Sequence, residues 1–191
     1  MPILLSRPTE LDVEHLLARV AAENLTYTGP PVADGDPHLP GYRYGGHVQE
    51  LGDCAGVFER AKEALRRWDA HHQLGAAVAP VDAPLALGAD VVVTLKLGPA
   101  YMLAPCRIVS VADGADRFGF SYATLPGHPE RGEEAFHVER APDGRVSFRV
   151  QVVSRPALAL ARLGGPFTRV VQSQAMRKYA RGIRLAVSPV P

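Results

Sequence analysis

The feature that most constrains the fold of this chain is a run of strand-like segments with no helix between them. The pattern predicts six strands, at Ala76–Val81, Asp90–Leu97, Cys106–Ala112, Arg117–Thr124, Glu134–Arg140 and Arg145–Val153. Asp113-Gly114 and Asp143-Gly144 are dipeptides typical of tight turns between paired strands. Strands that follow one another without a helical crossover pair antiparallel, so the pattern indicates an antiparallel sheet.

The last of these strands shows which part of the sheet is buried. Apolar Val146, Phe148 and Val150 alternate with polar side chains, among them Arg149 and Gln151. Because successive side chains of a strand point to opposite faces, this alternation predicts one buried face and one face in contact with water.

Helical segments and one more strand surround this region. Thr9 is a suitable N-cap for a first helix that ends near Asn24, and a strand is predicted at Tyr42–Leu51. A second helix is predicted to follow Asp53, with an apolar stripe that includes Cys54 and reaches Trp68, and with Gly75 after its end. A last helix begins at Gly165-Pro166 and ends at about Leu185, and its apolar side carries Phe167, Val171, Ala175 and Tyr179.

This order of elements predicts an α+β fold of the helix-grip type. A curved antiparallel sheet of six to seven strands would wrap around the long C-terminal helix, and an N-terminal helix would extend the fold. The 191 residues fit one domain, with residues 1–40 as a helix-and-loop extension and residues 41–187 as the core. The space between such a sheet and its helix is a natural place for a ligand cavity.

Composition excludes several classes of function. The net charge of +1 argues against a general nucleic-acid binder. No integral membrane segment or secretory signal is found, so we expect a cytoplasmic protein, in which Cys54 and Cys106 are buried small hydrophobic residues. Neither the spacing of metal ligands nor a phosphate-binding loop occurs, so no metal and no cofactor are expected. The sequence assigns no oligomeric state.

One dense segment, from Tyr122 to Phe136, carries the most specific pattern in the chain. It contains a connection stiffened by Pro126 and Pro129 and opened by Gly127. The segment resembles the hallmark Tyr-Gly-Thr-Leu-Pro-Gly-His-Pro of an uncharacterised bacterial and plant family, followed by Gly-Glu-Glu and a Phe. Ala123 stands here where that family usually has Gly.

The resemblance extends over nearly the whole chain, through Pro105-Cys106-Arg107 and Ser154-Arg155-Pro156 among other segments. It implies membership of the START-like (SRPBCC) helix-grip superfamily. That superfamily implies a hydrophobic cavity and functions that include lipid carriage and polyketide cyclisation, so the resemblance says more about fold than about function.

Glu134 and His128 are the candidate catalytic residues. Glu134 should share a face with Phe136 and therefore lie near the cavity, where a carboxylate can act as a general base with a raised pKa. The alternatives are solvation or an ion pair with Arg107 or Arg155. His128 would either exchange protons at the cavity mouth or hydrogen-bond the backbone of its own loop.

The candidate ligand-binding residues are of two kinds. Arg107 and Arg155 lie in or beside apolar strands, where each could bind a carboxylate or phosphate of a ligand, or pair internally with Glu133, Glu134 or Glu139. The others are expected to line the cavity: Tyr122, Thr124, Phe136 and Tyr179.

Three functions follow from these residues. The first is binding of a small hydrophobic molecule of unknown identity, without chemistry. The second is a cyclase- or lyase-type enzyme that uses Glu134, His128 and an Arg in the same cavity on a polyketide-like or other apolar metabolite. The third is a protein–protein interaction module whose cavity is filled by its own side chains. Cavity volume separates the third function from the others, and convergence of the three side chains separates the second from the first.

Overall fold

The computed structural model describes residues 3–157 and the backbone of residues 165–188, with side chains from residue 173 onward in the second range. The strands are β1 (Ile3–Leu4), β2 (Arg43–Gly52), β3 (Ala76–Ala79), β4 (Asp90–Leu97), β5 (Ala100–Asp113), β6 (Arg117–Thr124), β7 (Glu130–Arg140) and β8 (Val146–Pro156). The helices are α1 (Glu10–Val20), α2 (Val57–Arg66), α3 (Asp69–Leu74) and α4 (Gly165–Val187), and a short 3₁₀ turn spans Val32–Asp34.

The strands form one curved antiparallel sheet, in the order β2-β8-β7-β6-β5-β4-β3, with β1 paired to β5. The predicted α+β class, the large antiparallel sheet and the C-terminal helix are confirmed. The described sheet has eight strands rather than six to seven, because the two residues of β1 are too few to show a period in the sequence.

The two faces of the sheet are both covered, but by different elements. The inner face, which carries Phe120, Phe136 and Phe148, packs against α2, α3 and α4 and forms the main core. The outer face, which carries Ala135 and Gln151, is covered in part by the chain between α1 and β2. The expectation that this second face meets water is therefore wrong near Gln151, which is buried.

Helix α1 begins as predicted. The side chain of Thr9 accepts a hydrogen bond from the backbone N–H of Asp12, and the Asp12 carboxylate accepts one from the backbone N–H of Thr9. This capping box fixes the start of the helix, which then packs Leu16 and Val20 against Leu103 and other apolar residues of the outer face.

The predicted second helix is divided into α2 and α3. Trp68 lies between them with a left-handed backbone (φ 60°). Helix α2 begins only at Val57, after Gly56. The ring centroids of Trp68 and Phe120 are 4.9 Å apart, and the indole N–H of Trp68 donates to the carbonyl of Ala83. Cys54 precedes α2 and is exposed, contrary to the expectation that both cysteines are buried.

Helix α4 approaches α3 closely because Gly182 has no side chain. A Cβ at this position would lie 2.6 Å from the carbonyl oxygen of Asp69. Tyr179 and Ala175 pack on the inner face, as expected of the apolar side of this helix. Phe167 and Val171, which were expected to do the same, lie outside the described side chains.

Candidate functional site

A cavity of about 280 Å³ lies between the inner face of the sheet and helices α3 and α4. Its apolar wall includes Leu74, Val93, Leu95, Met102, Ala104, Cys106, Val152 and Ala175. Its polar side is formed by β6, β7 and their connection, with the side chains of Tyr122, His128, Glu130 and Glu134. The cavity thus has a mostly aliphatic lining and one side that offers hydrogen bonds.

Glu134 reaches the cavity because of the register of β6 and β7. It is directly opposite Tyr122, and the Tyr122 hydroxyl donates a hydrogen bond of 2.5 Å to Glu134 Oε2. The same hydroxyl oxygen lies 3.1 Å from His71 Nε2. Since Tyr122 has one proton and gives it to the carboxyl group, His71 Nε2–H must be the donor to Tyr122. The three side chains form a hydrogen-bonded chain that ends at Glu134.

Burial governs the protonation of this chain. It raises the pKa of Glu134 to about 7, despite the hydrogen bond from Tyr122, which favours the ionised form. Burial lowers the pKa of His71 to about 3, so the imidazole is neutral at physiological pH. A carboxyl group with a pKa near 7 can both give and take a proton under such conditions.

His71 is held in place by rings on three sides. The centroids of Trp68, Phe136 and Tyr179 lie 4.8, 4.9 and 5.0 Å from that of His71. Its Nδ1 atom is buried and has no hydrogen-bond partner among the described residues. This agrees with a proton on Nε2, because Nδ1 is then a bare acceptor rather than an unpaired donor.

The turn between β6 and β7 sets the position of His128. Pro126 precedes Gly127, which has a φ of 98°, and the backbone N–H of His128 donates to the carbonyl of Leu125, as in a type II turn. His128 Nδ1 lies 3.0 Å from both the backbone nitrogen and the carbonyl oxygen of Glu130, so the ring hydrogen-bonds its own loop in either tautomer. Burial lowers the pKa of His128 to about 4. His128 also borders the cavity, and proton exchange there stays a prediction.

The same turn corrects one argument for function. The predicted strands Arg117–Thr124 and Glu134–Arg140 leave residues 125–133 to the loop between them, which is longer than a structural turn requires and for that reason favoured a functional site. Strand β7 begins at Glu130, so only residues 125–129 connect the two strands. A connection of five residues is ordinary for a hairpin, and its length is no longer an argument for a site.

Neither candidate arginine borders the cavity. Arg107 donates to both carboxylate oxygens of Asp90, its direct partner across β4 and β5, and to the carbonyl of Ala21 at the end of α1. The guanidinium of Arg155 lies 4.7 Å from the ring centroid of Tyr42. Arg107 thus has an internal partner, but it is Asp90 rather than one of the glutamates considered from the sequence.

The remaining candidates divide between the cavity and its support. Tyr122, Thr124 and Tyr179 border the cavity. The Thr124 hydroxyl is engaged by that of Thr26 at 2.6 Å and by the backbone N–H of Gly132, so it anchors the N-terminal chain to the sheet. Phe136 lies behind the cavity wall, where its ring supports those of His71 and Tyr179.

His71 is the residue that sequence reasoning missed. No spacing in the sequence could have found it, because Trp68, three residues earlier, has a left-handed backbone and breaks the helix between α2 and α3. The described residues contain no cluster of His, Cys, Asp and Glu side chains that could hold a metal ion. No described helix is long and apolar enough to span a membrane.

The fold and the cavity define a class of α+β domain in which a C-terminal helix closes a pocket against a curved antiparallel sheet. The chain resembles the crystal structure of the hypothetical protein jhp0584 from Helicobacter pylori, with a TM-score of 0.59 and 9% sequence identity over 87% of this chain and 100% of that one. At this identity the likeness concerns the fold alone.

Sequence similarity gives a narrower assignment. The chain belongs to the family described as Domain of unknown function (DUF1990), which matches residues 26–182. It is 34% identical to a UPF0548 protein of Deinococcus radiodurans over 93% of this chain and 95% of that protein. It is also 32% identical to a UPF0548 protein of Dictyostelium discoideum over 65% of this chain and 63% of that protein. Relatives of this chain therefore extend beyond the bacteria and plants named from the resemblance.

Proposed function

We propose that this protein is a START-like helix-grip domain that binds a small, mostly apolar molecule in the cavity between its sheet and α4. In this scheme residues 41–187 are the helix-grip core and residues 1–40 are an extension. The observation that carries the proposal is the cavity of about 280 Å³, lined mainly by aliphatic side chains and polar on one side. Pockets for drug-sized ligands begin at roughly 300 Å³, so the ligand should be small.

The cavity also bears on the alternative of an interaction module. Such a module would fill the space under the helix with its own side chains. Here Ala104 and Ala175, two of the smallest side chains, border the cavity between the sheet and α4. Small residues on the cavity wall leave room that a bound molecule can use, which favours the binding function.

Filling the cavity from within tests the proposal. Naphthalene is the probe, observed by saturation-transfer NMR and by its effect on the melting temperature. The wild-type protein should bind it and melt at a higher temperature with it. Ala104→Leu should abolish both effects, because the added carbons occupy the cavity. Ala77→Leu, at an exposed position of the edge strand β3, is the matched control and should bind as the wild type does.

Two results would contradict the proposal. The first is an unchanged wild-type spectrum and melting temperature with naphthalene near its solubility limit. The second is equal binding by Ala104→Leu and Ala77→Leu, which would put the probe at another place on the protein.

The second candidate function is acid–base catalysis in the same cavity. The observation in its favour is that Glu134, with a pKa of about 7, and His128 both border the cavity. The catalytic hypothesis also called for an arginine, and both candidate arginines have other surroundings. Binding therefore remains the first proposal. Transfer of solvent deuterium into a bound ketone by the wild type, and its loss in Glu134→Gln, would instead favour the catalytic function.

A further inference from the structure

We infer that the cavity selects apolar molecules that carry a neutral carbonyl group, and that the protonated carboxyl of Glu134 donates a hydrogen bond to that group. This inference rests on the proposed binding function and adds the chemical class of the ligand. It follows from the direction of the hydrogen bonds at the polar side of the cavity.

In the hydrogen-bonded series His71–Tyr122–Glu134, every donor points toward Glu134. His71 Nε2–H is spent on Tyr122, and the Tyr122 hydroxyl is spent on Glu134 Oε2. Oε2 is thus the accepting oxygen, so the proton of the neutral carboxyl group is carried by Oε1. Because Glu134 borders the cavity, its Oε1–H is the donor that these three side chains can offer to a ligand.

Burial and the neighbouring Glu130 carboxylate favour the neutral form of Glu134 more strongly than the Tyr122 hydrogen bond favours its ionised form. Four groups face Glu134. They are the Tyr122 hydroxyl on β6, the Cys106 thiol on β5, the Tyr179 hydroxyl on α4 and the Glu130 carboxylate on its own strand. Burial raises the pKa of the thiol and of both hydroxyls, so these three groups are neutral at pH 7. The remaining group is acidic. A ligand that fills the cavity removes further water from Glu134 and strengthens this preference.

His128 borders the same side of the cavity, where its Nδ1 lies 3.0 Å from both the backbone nitrogen and the carbonyl oxygen of Glu130. The donor that the hydrogen-bond directions assign to a ligand is therefore the O–H of Glu134, which a carbonyl oxygen can accept. A carboxylate ligand would instead bring its charge beside the Glu130 carboxylate and into a mostly apolar cavity, so the site favours the neutral carbonyl compound.

Three naphthalene derivatives of matched shape test this inference by calorimetry at pH 6 and pH 8. They are 2-acetylnaphthalene with a carbonyl, 2-ethylnaphthalene without one, and anionic 2-naphthoate. The ketone should bind roughly tenfold more weakly at pH 8, because a group of pKa about 7 is mostly protonated at pH 6 and mostly ionised at pH 8. The hydrocarbon should bind with the same affinity at both values, and naphthoate most weakly.

Three variants assign the effect. Glu134→Gln keeps the shape and an N–H donor, so the ketone should bind equally at both pH values. Tyr122→Phe removes a hydrogen bond that lowers the pKa of Glu134, so the pH midpoint of binding should move upward; this variant decides if Glu134→Gln does not fold. Glu139→Gln is the matched control on the same strand, because its carboxylate pairs with Arg117 and Arg149 and does not border the cavity, and it should keep the wild-type profile.

The outcomes separate this inference from the proposed function. Equal ketone binding at pH 6 and pH 8 by the wild type, or tighter binding of naphthoate than of the ketone, would overturn the carbonyl inference. Binding of 2-ethylnaphthalene in the same experiment would leave the apolar-ligand function standing. Failure of all three probes to bind would overturn both.

Discussion

Two neighbouring glutamates on β7 point to opposite faces of the same sheet. Glu134 borders the cavity and ends the hydrogen-bonded chain from His71 and Tyr122. Glu133 is buried on the outer face, where Ser121 and the backbone of Val32 favour its ionised form and desolvation raises its pKa. The comparison shows that burial alone does not make a site. What distinguishes Glu134 is that its buried carboxyl group lies on the inner face and ends the chain of hydrogen bonds from His71 and Tyr122.

The outer face is closed by the N-terminal chain. The backbone N–H of Thr26 donates to the carbonyl of Thr124, and the side-chain amide of Gln151 donates to the carbonyl of Val32 and to the Tyr44 hydroxyl. Beneath this cover, Glu133 Oε1 is buried with no partner among the described residues. Glu133 also borders the cavity, but its carboxyl group is engaged by Ser121 and the backbone of Val32 on the outer face, so we regard Glu133 as structural.

The largest expected loss of stability comes from truncating a core side chain of the inner face. Phe148→Ala should lower the free energy of unfolding by about 3–5 kcal/mol, because the ring is fully buried and its removal leaves a hole in the core. Chemical denaturation measures the loss. Val48→Ala, at a half-exposed position of β2, is the control and should cost far less. A loss below about 1 kcal/mol for Phe148→Ala would mean that this face is not the core.

The second effect is the pH dependence of stability that a buried glutamate contributes. A carboxyl group with a raised folded-state pKa binds more protons when folded, so it lowers stability as pH rises from the unfolded pKa toward the folded one. For Glu134 this window runs from about 4.3 to about 7. Between those values the stability of Glu134→Gln should rise relative to the wild type by on the order of 2–3 kcal/mol. Chemical denaturation of both proteins at each pH gives this difference.

This difference also tests the ion-pair alternative. If Glu134 were instead paired with a buried arginine, Glu134→Gln would be destabilised by several kcal/mol at pH 8. Glu133→Gln provides the comparison on the outer face, where burial also raises the pKa. It should show the same sign of pH dependence while leaving ligand binding unchanged.

The third effect concerns the support behind the site. Gly182→Ala would normally stabilise a helix, but here its Cβ would lie 2.6 Å from the Asp69 carbonyl oxygen and 2.8 Å from Gln73 Cβ. We expect a loss of about 1–3 kcal/mol by thermal denaturation, together with weaker ketone binding, since α3 carries His71. Arg181→Ala, at the exposed neighbouring position, is the control. A gain of stability in Gly182→Ala would show that the two helices can move apart freely.

Much of the fold could be predicted because local signals mark it. The bounds of β4 and β6 agree with the prediction to the residue, since turn residues flank a clear strand pattern. The early start of β7 was missed because Gly132 was taken as part of a loop. In the structure it lies within the strand, where a Cβ would be 2.0 Å from the Val153 carbonyl oxygen. Close contact between strands, rather than a turn, explains that glycine.

The site was less accessible to sequence reasoning than the fold. The alternation of β7 was enough to put Glu134 on the face of Phe136, opposite to Glu133. The link to His71 depends on the left-handed residue Trp68, which reorients α3, and no spacing in the sequence indicates that break. The pairing of Arg107 with Asp90 likewise required the register of β4 against β5. Long-range geometry, not composition, decided which charged residues reach the cavity.

The smallest effect sharpens the comparison between the two faces. Ala123 lies buried in regular strand geometry on β6, opposite Glu133 and Arg107. Ala123→Gly should therefore cost about 0.5–1 kcal/mol, because glycine loses more conformational freedom in a strand. Ketone binding and its pH midpoint should not change, since the paired neighbours are on the outer side. Chemical denaturation and calorimetry on the same sample measure both. A shifted pH midpoint in Ala123→Gly would mean that the outer face communicates with Glu134 through β6, and the separation of the two glutamates would then be incomplete.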